Sequence, residues 1–123
     1  MRYSIDRAEK YTVLTPEEEK LDSLKAPMLK SELVTLFQSG TENLILDMQH
    51  VKYVDSSGLS AILVAKRLAD ETNGELVIAS LSEHVEKLLK ISKLDSVLKI
   101  VADKEAAAEV IFLNEIEKEN GAE

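Results

Sequence analysis

Apolar and polar positions sort the chain into short blocks. In residues 3–15, Tyr3, Ile5, Tyr11, Val13 and Leu14 are β-formers around a polar turn at 6–10. Two short strands are expected there, joined too tightly for a crossover and therefore paired antiparallel. Thr15-Pro16-Glu17-Glu18 has the form of a capping box with proline at the first helical position. Glu17, Glu18, Glu19 and Lys20 supply no apolar stripe, however, so a continuing or edge strand is expected instead of a helix. From Pro27 the period changes. Met28, Leu29, Leu33, Leu36 and Phe37 recur at helical spacing, and Gly40 ends that helix. Leu44-Ile45-Leu46 is wholly apolar, as a strand buried on both faces reads, and Asp47 and Met48 close it. Residues 49–54 read as a link.

A second helix follows the tetrapeptide Asp55-Ser56-Ser57-Gly58. Its wide apolar face runs from Leu59, Ile62 and Leu63 round to Ala65 and Leu68, and Asn73-Gly74 stops it. Leu76-Val77-Ile78-Ala79 predicts another buried strand. Ser82 can cap a third helix over 83–91, whose early acids (Glu83, Glu86) and late lysines (Lys90, Lys93) suit the helix dipole. A last strand is expected over 98–101. Asp103 can cap a C-terminal helix carrying Ala106, Ala107, Val110, Ile111, Leu113 and Ile116, with a polar end at 117–123 that should fray. From Leu44 onward strands alternate with helices, which forces parallel pairing under a cover of helices. The fold class expected is α/β: one domain over 1–123, a mixed sheet of four to five strands and about four helices.

Length and composition fit that picture. The 123 residues suit a single core, and 45% of them are hydrophobic. The formal net charge is −8, with no block of Lys and Arg. That argues against nucleic acid and against an anionic membrane surface, both of which are met by clustered cations. Without cysteine there is no disulfide, thiol nucleophile or thiolate metal site. No secretory signal follows Met1-Arg2-Tyr3, and no apolar run approaches the roughly 20 residues needed to span a bilayer. A cytoplasmic protein without direct membrane insertion is the expectation.

Little in the sequence suits catalysis. Ser57 lies between a strand region and a helix, but the surrounding residues lack the G-x-S-x-G pattern of a nucleophile elbow. A base would have to come from His50 or His84, each set among polar neighbours as surface histidines are. Asp47, His50 and Asp55 match no metal spacing, and the four glycines never form a phosphate loop. No enzyme activity, metal or cofactor is expected. The Asp-Ser-Ser-Gly turn remains. Its plainest reading is a helix N-cap, with Ser56 or Ser57 accepting a backbone N–H and Gly58 easing the turn. A functional reading adds that a helix N-terminus tolerates negative charge, so a phosphate on an exposed Ser57 would leave the fold intact. Any partner that buries this surface would then have to desolvate that charge.

Val54-Asp55-Ser56-Ser57-Gly58-Leu59 after a Leu-Ile-Leu-Asp strand resembles the signature of the STAS domain, as found in bacterial anti-sigma-factor antagonists. Leu21-Asp22-Ser23 with Ala26-Pro27 and Leu29 resembles a second landmark of that family. Leu76 through Ser82, Val85, Leu88-Leu89 and Leu94-Asp95 resembles its C-terminal half. The resemblance covers about residues 3–113. It implies a sheet of four or five strands with four helices, and a partner that is both anti-sigma factor and serine kinase, with an ATPase-like fold. The unphosphorylated domain would bind that kinase and free a sigma factor. Phosphorylation would fall on Ser57, and a phosphatase acting on phospho-Ser57 would reset the switch. Asp55 and Ser56 would flank the acceptor, Gly58 would start the helix, and Asp22 would lie in the neighbouring loop of the docking face. ATP and Mg²⁺ would belong to the partner. Where many members carry Gly and an acid before the Leu-Asp landmark, this chain has Glu18-Glu19-Lys20, which makes that part of the face more acidic. The alternative role is a constitutive STAS subunit of another assembly, a lipid-transport ATPase complex or a stressosome, in which Ser57 is only a cap.

Overall fold

The computed structural model describes residues 1–121. Five strands form the main sheet in the order β1 (Tyr3–Arg7), β2 (Thr12–Pro16), β4 (Leu44–Asp47), β6 (Leu76–Ala79) and β7 (Lys99–Val101). β1 runs antiparallel to β2, and all the other pairs are parallel. Thr15 and Pro16 continue β2, as the missing apolar stripe predicts, and Pro16 lies beyond the last β2–β4 pair, Leu14 with Leu46. A second, two-stranded parallel sheet pairs β3 (Lys20–Leu21) with β5 (Tyr53–Val54). Neither of these short strands is visible in the hydrophobic pattern, and the expected link at 49–54 thus contains one of them.

Strand alternation divides the core in two. Leu14, Leu44, Leu46, Leu76 and Ile78 face α1 (Ala26–Gln38), α2 (Ser56–Glu71) and α3 (Glu83–Ile91). Val13, Ile45, Val77 and Ala79 point the other way, against Ala107 and Ile111 of α4 (Lys104–Gly121). Both faces of β4 and β6 are therefore apolar, and every residue of the two strands is buried.

The helices differ from their predicted faces in detail. In α2 the fully buried stripe is Gly58, Ala61, Ile62, Ala65 and Ala69, while Leu63 is exposed and Leu59 and Leu68 are half-buried. Small residues let the helix lie close to its neighbours, and the leucines spread to either side. In α1, Met28 is exposed because it sits one position off the line of Leu29, Leu33 and Leu36. Lys93 lies beyond the end of α3 in the left-handed region, with φ 60°. In α4, Leu113 and Ile116 are exposed, as is Phe112, since only one side of this helix meets the sheet. Of the tail at 117–123 that should fray, helix is assigned through Gly121, and residues 122–123 lie outside the described residues.

Candidate docking and phosphorylation site

In a parallel sheet the loops after the strand C-termini gather at one end, where sites are usually built. Here that end carries the Asp22 loop after β3, the Asp55–Gly58 turn after β5 and the Ser82 turn after β6. Three contacts fix the first two together. Lys20 pairs with Tyr53 and Leu21 with Val54. The Asp55 amide donates to the Leu21 carbonyl at 3.3 Å. Gly58 packs so tightly that a Cβ on it would run into that same carbonyl and come within 2.9 Å of Val54 Cγ1. Glycine is required here by the close approach of two backbones, rather than to ease a turn.

The helix cap is Asp55. Its Oδ1 accepts from the amides of Ser57 at 2.9 Å and Gly58 at 3.0 Å, and its carbonyl accepts from the Leu59 amide. The expectation that Ser56 or Ser57 caps is thereby corrected. A carboxylate at this position adds charge to the hydrogen bonds and opposes the helix dipole, so it outcompetes a hydroxyl. Ser56 is then the first and Ser57 the second residue of the helix. Ser56 is exposed, whereas Ser57 is half-buried and Gly58 fully buried, so full exposure of Ser57 is also corrected.

Asp22 is half-buried and serves its own loop. Its Oδ1 accepts from the Leu24 amide at 3.1 Å, and its carbonyl accepts from Lys25 and Ala26, opening α1. Leu24, held in this way, stands 80% exposed. Of the acidic segment, Glu18 is used within the fold, while Glu17 and Glu19 are exposed. Glu18 accepts from the Arg2 amide at 2.7 Å and pairs with Lys25 at 3.4 Å. Chiefly the Arg2 amide, helped by Lys25, holds its carboxyl below the ordinary range. Glu19 gives its carbonyl to the Lys52 and Tyr53 amides. At the end of β4, Asp47 is fully buried and bonded to Thr15, to the Gln49 amide and to the Gln49 side chain.

Among the described residues neither histidine is hydrogen-bonded to Ser57. His84, at the start of α3, stacks on Tyr53 with centroids 5.4 Å apart, and His50 lies exposed in the turn after β4. The hydrogen bonds of the Asp55 turn run from amides to carboxylate and involve neither ring. Among the described residues no group of three or more His, Cys, Asp or Glu side chains is placed to hold a metal ion, and no helix is long and apolar enough to cross a membrane. A cleft of about 610 Å³ between α3 and β7, lined by Lys66, Lys90, Leu98 and Lys99 among others, contains none of the candidate residues. The Asp55 cap and the β3–β5 clamp escaped the sequence reading. An Asp two places before a serine at a helix start was the available signal for the first.

The sequence pattern of the STAS domain matches residues 3–107. This chain belongs to the STAS domain family. Over 88 residues this STAS domain is 31% identical to BtrV of Bordetella bronchiseptica, a protein assigned as an anti-sigma factor antagonist; the match spans 72% of this chain and 76% of BtrV. The fold is shared with a Thermotoga maritima protein of the same assignment, at a TM-score of 0.80 and 22% identity over 89% of this chain and 93% of that one. It is shared too with Bacillus SpoIIAA in its phosphorylated form, at a TM-score of 0.69 and 18% identity over 89% of this chain and 99% of that one. The STAS domain thus falls in the anti-sigma-factor-antagonist family, whose members generally act by partner switching and not by catalysis.

Proposed function

We propose that this protein is a cytoplasmic, non-enzymatic antagonist that docks onto an anti-sigma factor and is released from it by phosphorylation of Ser57. The observation that carries the reading is the placement of Ser57: second residue of a helix capped by another side chain, at a loop end, clamped beside the Asp22 loop. Asp22, Asp55, Ser56, Ser57 and Gly58 form the docking face in this reading. The anti-sigma factor is itself the serine kinase. It moves the γ-phosphoryl group of its own ATP to Ser57 Oγ, ADP leaves, and the hydroxyl proton passes to a base of the kinase. The product carries about −1.5 to −2 charges at neutral pH. Burying that charge unpaired costs several kcal/mol, which is enough to abolish docking while the fold persists. A phosphatase restores the hydroxyl. That SpoIIAA, a protein of the same fold, has a phosphorylated form supports the reading.

Incubation with ATP and the serine-kinase anti-sigma factors of the same genome, followed by intact mass, tests it. One phosphate is expected on the native chain and on Ser56→Ala, and none on Ser57→Ala. Ser57→Asp should melt with the native protein yet fail to bind the kinase. Absence of phosphate with every such kinase would refute the switch and favour the constitutive subunit.

A further inference from the structure

Resting on the reading of Ser57 as a phospho-acceptor, we infer that Asp55 is a positioning residue of the switch: by occupying the first-turn amides it keeps first the Ser57 hydroxyl, and then the phosphate, out of the helix N-terminus. A helix start offers a short row of unpaired amides, and a phosphate on a serine in the first turn ordinarily settles on them. In α2 that place is taken. The amides of Ser57 and Gly58, at 2.9 and 3.0 Å, both donate to Asp55 Oδ1, and the Leu59 amide donates to the Asp55 carbonyl. Only the Ser56 amide is left to the first turn.

Two consequences follow. Before phosphorylation, Ser57 has no capping duty, and no hydrogen bond among the described residues holds its hydroxyl. After phosphorylation, the phosphate gains little from the helix and lies beside a fixed carboxylate. Like charges at such range disfavour the doubly ionised form. The other charged groups of this end give little relief. In the Asp22 loop, Asp22 is acidic and Lys25 is paired with Glu18; before β5, Lys52 is paired with Glu19; at α3, Glu83 is paired with Lys87 and His84 is stacked on Tyr53; on β3, Lys20 is exposed. The mark therefore stays outside the fold, presented to whatever docks there.

The test needs no kinase. Phosphoserine is installed at position 57 during translation, in the native chain and in Asp55→Asn, which retains a good N-cap but no charge. The second ionisation of the phosphate is followed by ³¹P NMR, and the amides by ¹H–¹⁵N spectra. In the native chain the phosphate pKa should lie at least about half a unit above that of Asp55→Asn, against an ordinary value of about 6. The Ser57 and Gly58 amide shifts should also match those of the unphosphorylated native protein. Nearness of the charge alone also raises the native value, so the amides make the distinction: a cap that gives way to the phosphate predicts that they move. Equal values, or native amides that move strongly downfield as they turn from Asp55 to phosphate, would overturn the inference. Either result leaves the kinase experiment on Ser57 untouched, so the two can fail separately.

Discussion

Gly58 shows how one absent methyl group holds the site together. In an exposed helix interior, Gly→Ala stabilises by about 1 kcal/mol. At position 58 the sign should reverse, because the new Cβ meets the Leu21 carbonyl, which is backbone and paired. We expect Gly58→Ala to cost about 1–3 kcal/mol, read as a lower urea midpoint at unchanged slope; a midpoint at or above native would refute the clamp. The sequence marks the turn but not its wiring. Asp55, Ser56 and Ser57 are all competent caps, and no periodicity says which oxygen faces the amides. Backbone proximity across 37 residues, from Leu21 to Gly58, leaves no trace in composition.

Among the elements, those with many like residues were legible. Leu44–Leu46 and Leu76–Ala79 read as buried strands because both their faces are apolar, and α1 and α3 read as helices from spacing and caps. The two-residue strands β3 and β5 were not legible, since each contributes one buried side chain, Leu21 or Val54, and pairing supplies the rest. At the start of β1 the Arg2 carbonyl accepts from the Glu17 amide, and the Arg2 amide is held by a carboxylate. Glu18 holds the Arg2 amide, and its pKa in the folded state lies below the unfolded value of about 4.3. Its contribution is therefore present above the unfolded pKa and is lost as pH falls through the lowered folded value. The protection factor of the Arg2 amide, its rate relative to the intrinsic rate at the same pH, should be high at neutral pH and fall in acid below that range. In Glu18→Ala it should be low at every pH. Protection that is insensitive to both would show that Glu18 does not hold the strand.

At the scale of the molecule, the five-stranded mixed sheet and its helix count follow from the order of apolar blocks, while the division of labour between its faces does not. Three helices cover one face and α4 alone covers the other. The nearly unbroken apolar run from Ala106 to Leu113 hides which side of α4 meets the sheet. The structure separates them: Ile111 is fully buried against Val13, Ile45 and Val77, and Ile116 is 51% exposed. Ile111→Ala should cost about 2–5 kcal/mol, and Ile116→Ala should stay within about 0.5 kcal/mol of native. Thermal and urea unfolding of the two variants decide this, and equal losses would mean that α4 is turned otherwise.

The contact between Gly58 and the Leu21 carbonyl has a kinetic meaning. Two loops packed this closely resist opening and sliding, so this surface is expected to keep much the same shape alone as in company. Little ordering is needed at encounter, and whatever adjustment recognition requires falls to the other protein.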